Sequence, residues 1–269
     1  MKFLDVLFSL IDSYLMGGIR RCNLFKTLYI NFRCLPLKQA IYFPILCYGP
    51  MRFRLLAGKI TLGNVHKGML RIGLDSVGYR TKGTTTITLF PDSEWIIEGG
   101  IRICQGASVL VGNKAILTIK SGATLGDEAE IICKKRITIG AMVGVTWQCQ
   151  ITDFASHFVM DCKTGRVRTV FRDVVIGDYC WIGNRSTVQP GTYLPDHTIV
   201  GSNSLLNKDY IKMGIQPYSL IGGQPARLVK TDLTRIFNKQ KEAELLSYFS
   251  KWETNKVDYV EISDPENFC

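Results

Sequence analysis

From Ile176 to Leu206 an aliphatic residue recurs at every sixth position: Ile176, Ile182, Val188, Leu194, Val200 and Leu206. Four residues after each come Cys180, Ser186, Thr192, Thr198, Ser204 and Tyr210, small in all but the last case. Gly177, Gly183 and Gly201 directly follow three of the aliphatic positions. A period of six matches neither an α-helix, which repeats about every 3.6 residues, nor a strand that alternates every two. It matches a parallel β-helix, in which each hexad supplies one short strand and one corner. The aliphatic side chain then points into a narrow core, the small residue fits beside it, and Gly eases the corner.

The pattern extends upstream with less regularity. Ile119, Leu125 and Ile131 form one set of hexads, with Ala123 and Ala129 at the small position and Lys135 as an exception. After a two-residue slip, Ile139, Val145 and Ile151 form another, with Val143, Cys149 and Ala155 as its small members. From Leu55 onward the alternation is looser, carried by Ile72, Ile87, Leu89, Ile96, Ile97, Ile101 and Ile103 between polar residues and glycines. Three hexads close one coil, so roughly six or seven stacked coils are expected, with caps at both ends.

Both ends depart from this period. Phe3, Leu4, Leu7, Leu10, Ile11, Tyr14 and Leu15 recur at helical spacing until Gly17 and Gly18. A second apolar stretch, Ala40 to Tyr48, is broken by Pro44 and reaches about half the length of a bilayer span. At the other end Leu233, Ile236, Phe237, Leu245, Tyr248, Phe249 and Trp252 are helically spaced among charges, which predicts a helix capping the open end of the coils. The chain therefore divides into an N-terminal helical, amphipathic extension over 1–54, a β-helix over 55–231, and a C-terminal helix and tail over 232–269.

Charge narrows the choice of partner. With 33 Lys and Arg against 23 Asp and Glu, the formal net charge is +10. A nucleic acid, an anionic membrane surface or a phosphorylated small molecule would each suit it. The chain has no aromatic–basic RNA-binding signature and no zinc-finger spacing, which argues against nucleic acid. Two readings of the basic N-terminal segment stay open: helices packed on the end of the coils or between subunits, or peripheral contact with the cytoplasmic membrane face. Nine cysteines are odd in number and form no CxxC pair. Together with the absence of a cleavable signal peptide, this predicts reduced thiols and a cytoplasmic protein.

The ladder breaks once, between Ile151 and Ile176. The next aliphatic position falls due at 157, and the residue there is His157. An imidazole at such a break projects out of the wall instead of into the core. Asp153, four residues earlier, is placed to accept the imidazole N–H or to bind a substrate hydroxyl.

Taken together, the ladder, the segment Thr152-Asp153-Phe154-Ala155-Ser156-His157, the run Val175 to Gly183 and the ending Gly223-Gln224-Pro225-Ala226-Arg227 resemble the hexapeptide-repeat acyltransferases. The likeness is closest to the sugar O-acetyltransferases of bacterial capsule, exopolysaccharide and lipopolysaccharide synthesis, from about residue 119 to 231. It implies a left-handed β-helix, acetyl-CoA as acyl donor, a sugar hydroxyl as acceptor and a homotrimer. It also implies that His157 is the general base, a task that suits imidazole because its ordinary pKa lies near neutrality. Relatives usually carry Asp-x-Asp-x-His. Here Ala155 replaces the second aspartate, leaving a backbone carbonyl, Asp153 or Asp161 to orient the ring. By the same resemblance Trp181 flanks the pantetheine arm, backbone groups at Gly183, Gly201 and Ser202 bind its amides, and Lys208, Arg227 and Lys230 meet the CoA phosphates. No metal is called for: the metal enzymes built on this fold join three histidines between subunits, and His66, His157 and His197 do not share a coil spacing. Serine or antibiotic O-acetylation, and a non-enzymatic hexapeptide scaffold, remain the competing functions.

Overall fold

The computed structural model describes residues 22–74, 83–250 and 259–262. The amphipathic segment at 3–15 and Trp252 lie outside these residues. Three sheets of nine, seven and six strands, parallel but for the last strand of the nine, form the walls of a left-handed β-helix. The hexads are the reason for the walls. Ile182 pairs with Val200 in the nine-stranded sheet, Val188 with Leu206 in the seven-stranded sheet, and Ile176 with Leu194 in the six-stranded sheet. Each aliphatic position therefore rests on the one eighteen residues away, and all six are at most 1% exposed. Six strands in the third sheet mean six closed coils, within the expected number.

The corners solve a different problem from the one the glycines suggest. The chain turns through the left-handed region at Tyr179, Arg185, Gly191, His197 and Asn203, again every sixth residue, and four of these five are not glycine. Gly183 is needed for closeness instead. A Cβ there would stand 2.6 Å from both the Ser202 nitrogen and the Val200 carbonyl oxygen on the next coil.

In the early coils Trp95, absent from the expected core, is fully buried, while Ile96 faces outward and is half-buried. Strand alternation admits only one of two neighbours, and the indole takes the inner place.

The coils begin earlier than residue 55. Ile45–Cys47 is already a strand, paired with Leu70–Ile72, and Met51–Leu56 opens the second wall. Before them α1 (Leu24–Cys34) starts at Asn23, whose side chain accepts the Lys26 N–H, and stops at Leu35, held extended by Pro36. A short helix, α2 (Leu37–Ala40), follows. The buried face of α1 meets the exposed edge of the first strand. Asn31 donates to the Ile45 carbonyl and accepts the Ile45 N–H, Thr27 Oγ1 accepts the Cys47 N–H, and the Asn23 N–H donates to the Cys47 carbonyl. Polar side chains of a helix thus stand where another strand would pair.

At the far end, the strands Leu220–Gly223 and Ala226–Lys230 form an antiparallel hairpin on the nine-stranded sheet. Tyr210, fully buried, donates its hydroxyl to the Ala226 carbonyl at 3.3 Å. The predicted C-terminal helix is shorter and does not cap the coils. Leu233 to Phe237 run non-helically along the wall, with Phe237 edge-on to Tyr179. Helix α3 (Lys239–Phe249), capped by Asn238, buries none of its residues.

Candidate functional site

Between the strands Gln150–Thr152 and Val174–Ile176 the chain leaves the coil as a two-stranded arm. Antiparallel bridges join Phe154 to Phe171 and Met160 to Val167. The two phenylalanine rings stack at 5.1 Å at its root. At its tip, Asp161 accepts the backbone N–H groups of Lys163 and Thr164, both at 2.9 Å. These bonds hold its carboxyl below the usual carboxylate range.

Asp153 anchors the arm and does not face the site. It is fully buried, and its carboxylate accepts the N–H groups of Lys134, Lys135 and Arg136 at 2.7, 2.7 and 2.6 Å. The Cys133 thiol also lies 3.7 Å away. Burial, reinforced by this carboxylate, pushes that thiol up. The two-residue slip noted in the hexads is this corner, widened and tied down by Asp153 from the coil above. The expected role of Asp153 toward an imidazole or a hydroxyl is therefore contradicted: its acceptors point into a backbone nest. Asp161 is likewise occupied by its own turn.

His157 stands on the arm, exposed to solvent, and lines a cavity of about 600 Å³ between arm and wall. The wall side supplies Gln150, Thr152, Thr187 and Gln189, and the arm supplies Arg166, Arg168 and Arg172. Among the described residues no group hydrogen-bonds the His157 ring. The site thus has a free imidazole, neutral hydrogen-bonding groups and a basic rim.

The other expected residues lie elsewhere. Trp181 is on the outer side of the nine-stranded sheet, 38% exposed, and its register row runs through Ile199 and Leu220 to Lys230. Three strand spacings, about 14 Å, separate Trp181 from Lys230. Arg227 pairs opposite Gly222 on the same hairpin. Lys208 belongs to another corner, after the strand Leu205–Leu206, on the same edge of the prism as the arm. The N–H groups of Gly183 and Gly201 already donate to Val200 and Ile221 carbonyls at 2.8 and 2.9 Å. These glycines shape the corner and have no N–H to offer an amide ligand. Ser202 is exposed, with its hydroxyl on Asn184 Oδ1 at 2.6 Å.

Sequence reasoning missed Arg235. A Cβ on Gly144 would come within 2.9 Å of its guanidinium and 3.5 Å of the Trp181 ring, so Gly144 clears a seat for both. Arg235 also lies 3.6 Å from Glu242 and over the Phe237 ring. No sequence pattern marks it, because its position depends on the chain doubling back. Among the described residues no three His, Cys, Asp or Glu side chains converge as metal ligands.

Residues 173–208 match the family described as bacterial transferase hexapeptide (six repeats). A chloramphenicol acetyltransferase of Morganella morganii is 40% identical over 58 residues, 22% of this chain and 25% of that protein. A putative lipopolysaccharide biosynthesis O-acetyl transferase WbbJ of Escherichia coli (strain K12) is 37% identical over 57 residues, 21% of this chain and 26% of that protein. The chain thus spans about a quarter of the length of each of these relatives. The crystal structure of the polySia specific acetyltransferase NeuO superposes with a TM-score of 0.50 at 16% identity, over 81% of this chain and 90% of that one. That is a likeness of fold. The repeats and the three walls give this chain the left-handed β-helix fold, with the hexapeptide match confined to residues 173–208. Its relatives by sequence are acetyltransferases.

Proposed function

We propose that the protein is an acetyl-CoA-dependent O-acetyltransferase that acetylates a sugar hydroxyl in capsule, exopolysaccharide or lipopolysaccharide synthesis. The observation that carries this reading is His157: an unpaired imidazole, due at a core position of the repeat, stands instead at a cavity large enough for a sugar. Its ring nitrogen takes the proton of an acceptor hydroxyl as that oxygen attacks the donor's thioester carbonyl; the carbon–sulfur bond of the adduct then breaks and the imidazolium returns the proton to the departing CoA thiolate, a placed base of this kind contributing about 10²–10⁴ in rate. Wall groups such as Thr187 and Gln189 hold the remaining hydroxyls.

The donor side of the reading uses the Trp181–Lys230 row, with Arg227 and Arg235 beside it as cations for the CoA phosphates and Ser202 at the adjacent corner. Lys208 belongs to the arm's edge and has a weaker claim. His157 stands on the arm, at the edge between the seven- and six-stranded walls, whereas Trp181 lies on the nine-stranded wall. A complete site therefore sets the arm of one copy against the nine-stranded face of another, and a homotrimer closes this head-to-tail arrangement. Exposed Phe158 and Val159 on the arm, 70% and 77% accessible, are suited to such a neighbour.

Buried cysteines outside any disulfide support a reducing, cytoplasmic setting. No helix among the described residues is long and apolar enough to cross a membrane. Phe25, Tyr29 and Leu37, exposed beside Lys26 and Lys38, support peripheral contact with an anionic inner-membrane face.

The test is a calorimetric titration with acetyl-CoA of wild type and His157→Ala, followed by release of free CoA. Both proteins are expected to bind, and only wild type to turn over at an appreciable rate. No binding by wild type at near-millimolar donor would end the acetyltransferase reading. The similarity to chloramphenicol acetyltransferase favours one second reading, an antibiotic hydroxyl as acceptor, and chloramphenicol-stimulated CoA release would establish it.

A further inference from the structure

The returning half of the arm reads Arg166-Val167-Arg168-Thr169-Val170-Phe171-Arg172. Arg166, Arg168 and Arg172 all reach the cavity that His157 lines. Side chains two residues apart on extended backbone, as Arg166 and Arg168 are, lie about 7 Å from each other, close enough for like charges to repel. The one carboxylate in the lining belongs to Asp161, which is taken up by its own turn. No ion pair among the described residues includes any of the three arginines.

Arg172 is held in place. Its N–H donates to the Asp153 carbonyl at 3.0 Å, and its guanidinium lies against Gly191, where a Cβ would stand only 3.2 Å from the guanidinium carbon. Arg168 and Arg166 continue the row outward along the arm. Three cations lining one cavity without a carboxylate partner, seated beside a free imidazole, fit a ligand that brings its own negative charge.

We propose that the acceptor is an anionic glycan, whose carboxylate or phosphate groups are gripped by Arg166, Arg168 and Arg172 while a nearby hydroxyl lies at His157. The planar fork of arginine matches either anion with paired hydrogen bonds. The CoA phosphates are the wrong occupant for this row. A thioester within reach of a hydroxyl at His157 leaves those phosphates a full pantetheine length away.

The inference rests on the acetyltransferase reading for its purpose and is tested apart from it. Wild type and the Arg166→Gln/Arg168→Gln double variant are applied to an array of carboxylate-bearing, phosphate-bearing and neutral oligosaccharides, with acetyl-CoA titrated in parallel. Wild type is expected to retain acidic glycans and not their neutral counterparts. The variant should lose about tenfold or more in that affinity, with a flatter salt dependence and unchanged affinity for acetyl-CoA. Retention of only carboxylate or only phosphate glycans identifies the anion. Equal retention of neutral glycans, no retention of acidic ones, or loss of acetyl-CoA affinity in the variant would overturn the proposal. Acidic glycans bound without acetyl-CoA would leave the anion seat standing and remove the acetyltransferase reading.

Discussion

Asp153 and His157 are four residues apart, yet they do opposite things. His157 was legible because it breaks a period: an ionisable residue occupies a position that the hexads reserve for an aliphatic one. Asp153 looked like its companion. Its actual partners, the N–H groups of Lys134, Lys135 and Arg136, lie seventeen to nineteen residues earlier, and no local pattern connects them. Removing the carboxylate strands three part-buried backbone donors, each costing up to about 1–3 kcal/mol. Asp153→Ala is therefore expected to lower thermal stability by several degrees or more in scanning calorimetry, whereas His157→Ala, at an exposed position, should melt with wild type while losing turnover. A variant of Asp153 that melts normally and loses only kcat would contradict this division.

Elements were legible where one residue type recurs and illegible where two elements share polar atoms. The aliphatic ladder predicted the three walls and their register. It could not predict that α1 would satisfy the edge of Ile45–Cys47 through Asn31 and Thr27, since neither side chain belongs to a hydrophobic pattern. The C-terminal spacing misled for a related reason. Leu233 and Phe237 have helical separation, but Phe237 gains an aromatic contact with Tyr179 when the segment stays outside a helix, and α3 begins only at its Asn238 cap. The arm is an element apart from the core: its bonds are mostly internal, and only its root is tied to the coils. Replacing 157–169 by a short Gly-Ser turn is expected to leave the melting temperature within a few degrees of wild type. The same change should abolish acetyl transfer and shift light scattering toward the single 30.3 kDa chain. A large loss of stability would mean that the arm is part of the core after all.

At the scale of the whole molecule, the cysteines report on cooperativity. Seven of the eight described are buried and Cys162, on the arm, is exposed. Burial pushes the Cys180 thiol up to about 12 and the Cys34 thiol up to about 11, so both stay protonated and unreactive at neutral pH. Brief treatment with iodoacetamide at pH 8 should label Cys162 alone among these eight, with the remaining seven appearing together as denaturant unfolds the protein. Mass spectrometry of the peptides checks this. Stepwise labelling from one end would show that the coils melt separately, as the nearest-neighbour logic of repeat proteins allows.

A stack of identical coils has no intrinsic reason to stop, and each open end resembles the surface on which the next coil was laid. Here the nine-stranded wall is closed at one end by the polar side chains of α1 and at the other by a strand that runs backward and presents Arg227 and Lys230. In the language of crystal growth, both growing edges of that wall are poisoned. The chain is a finite piece cut from a potential fibre, with the arm standing on its flank.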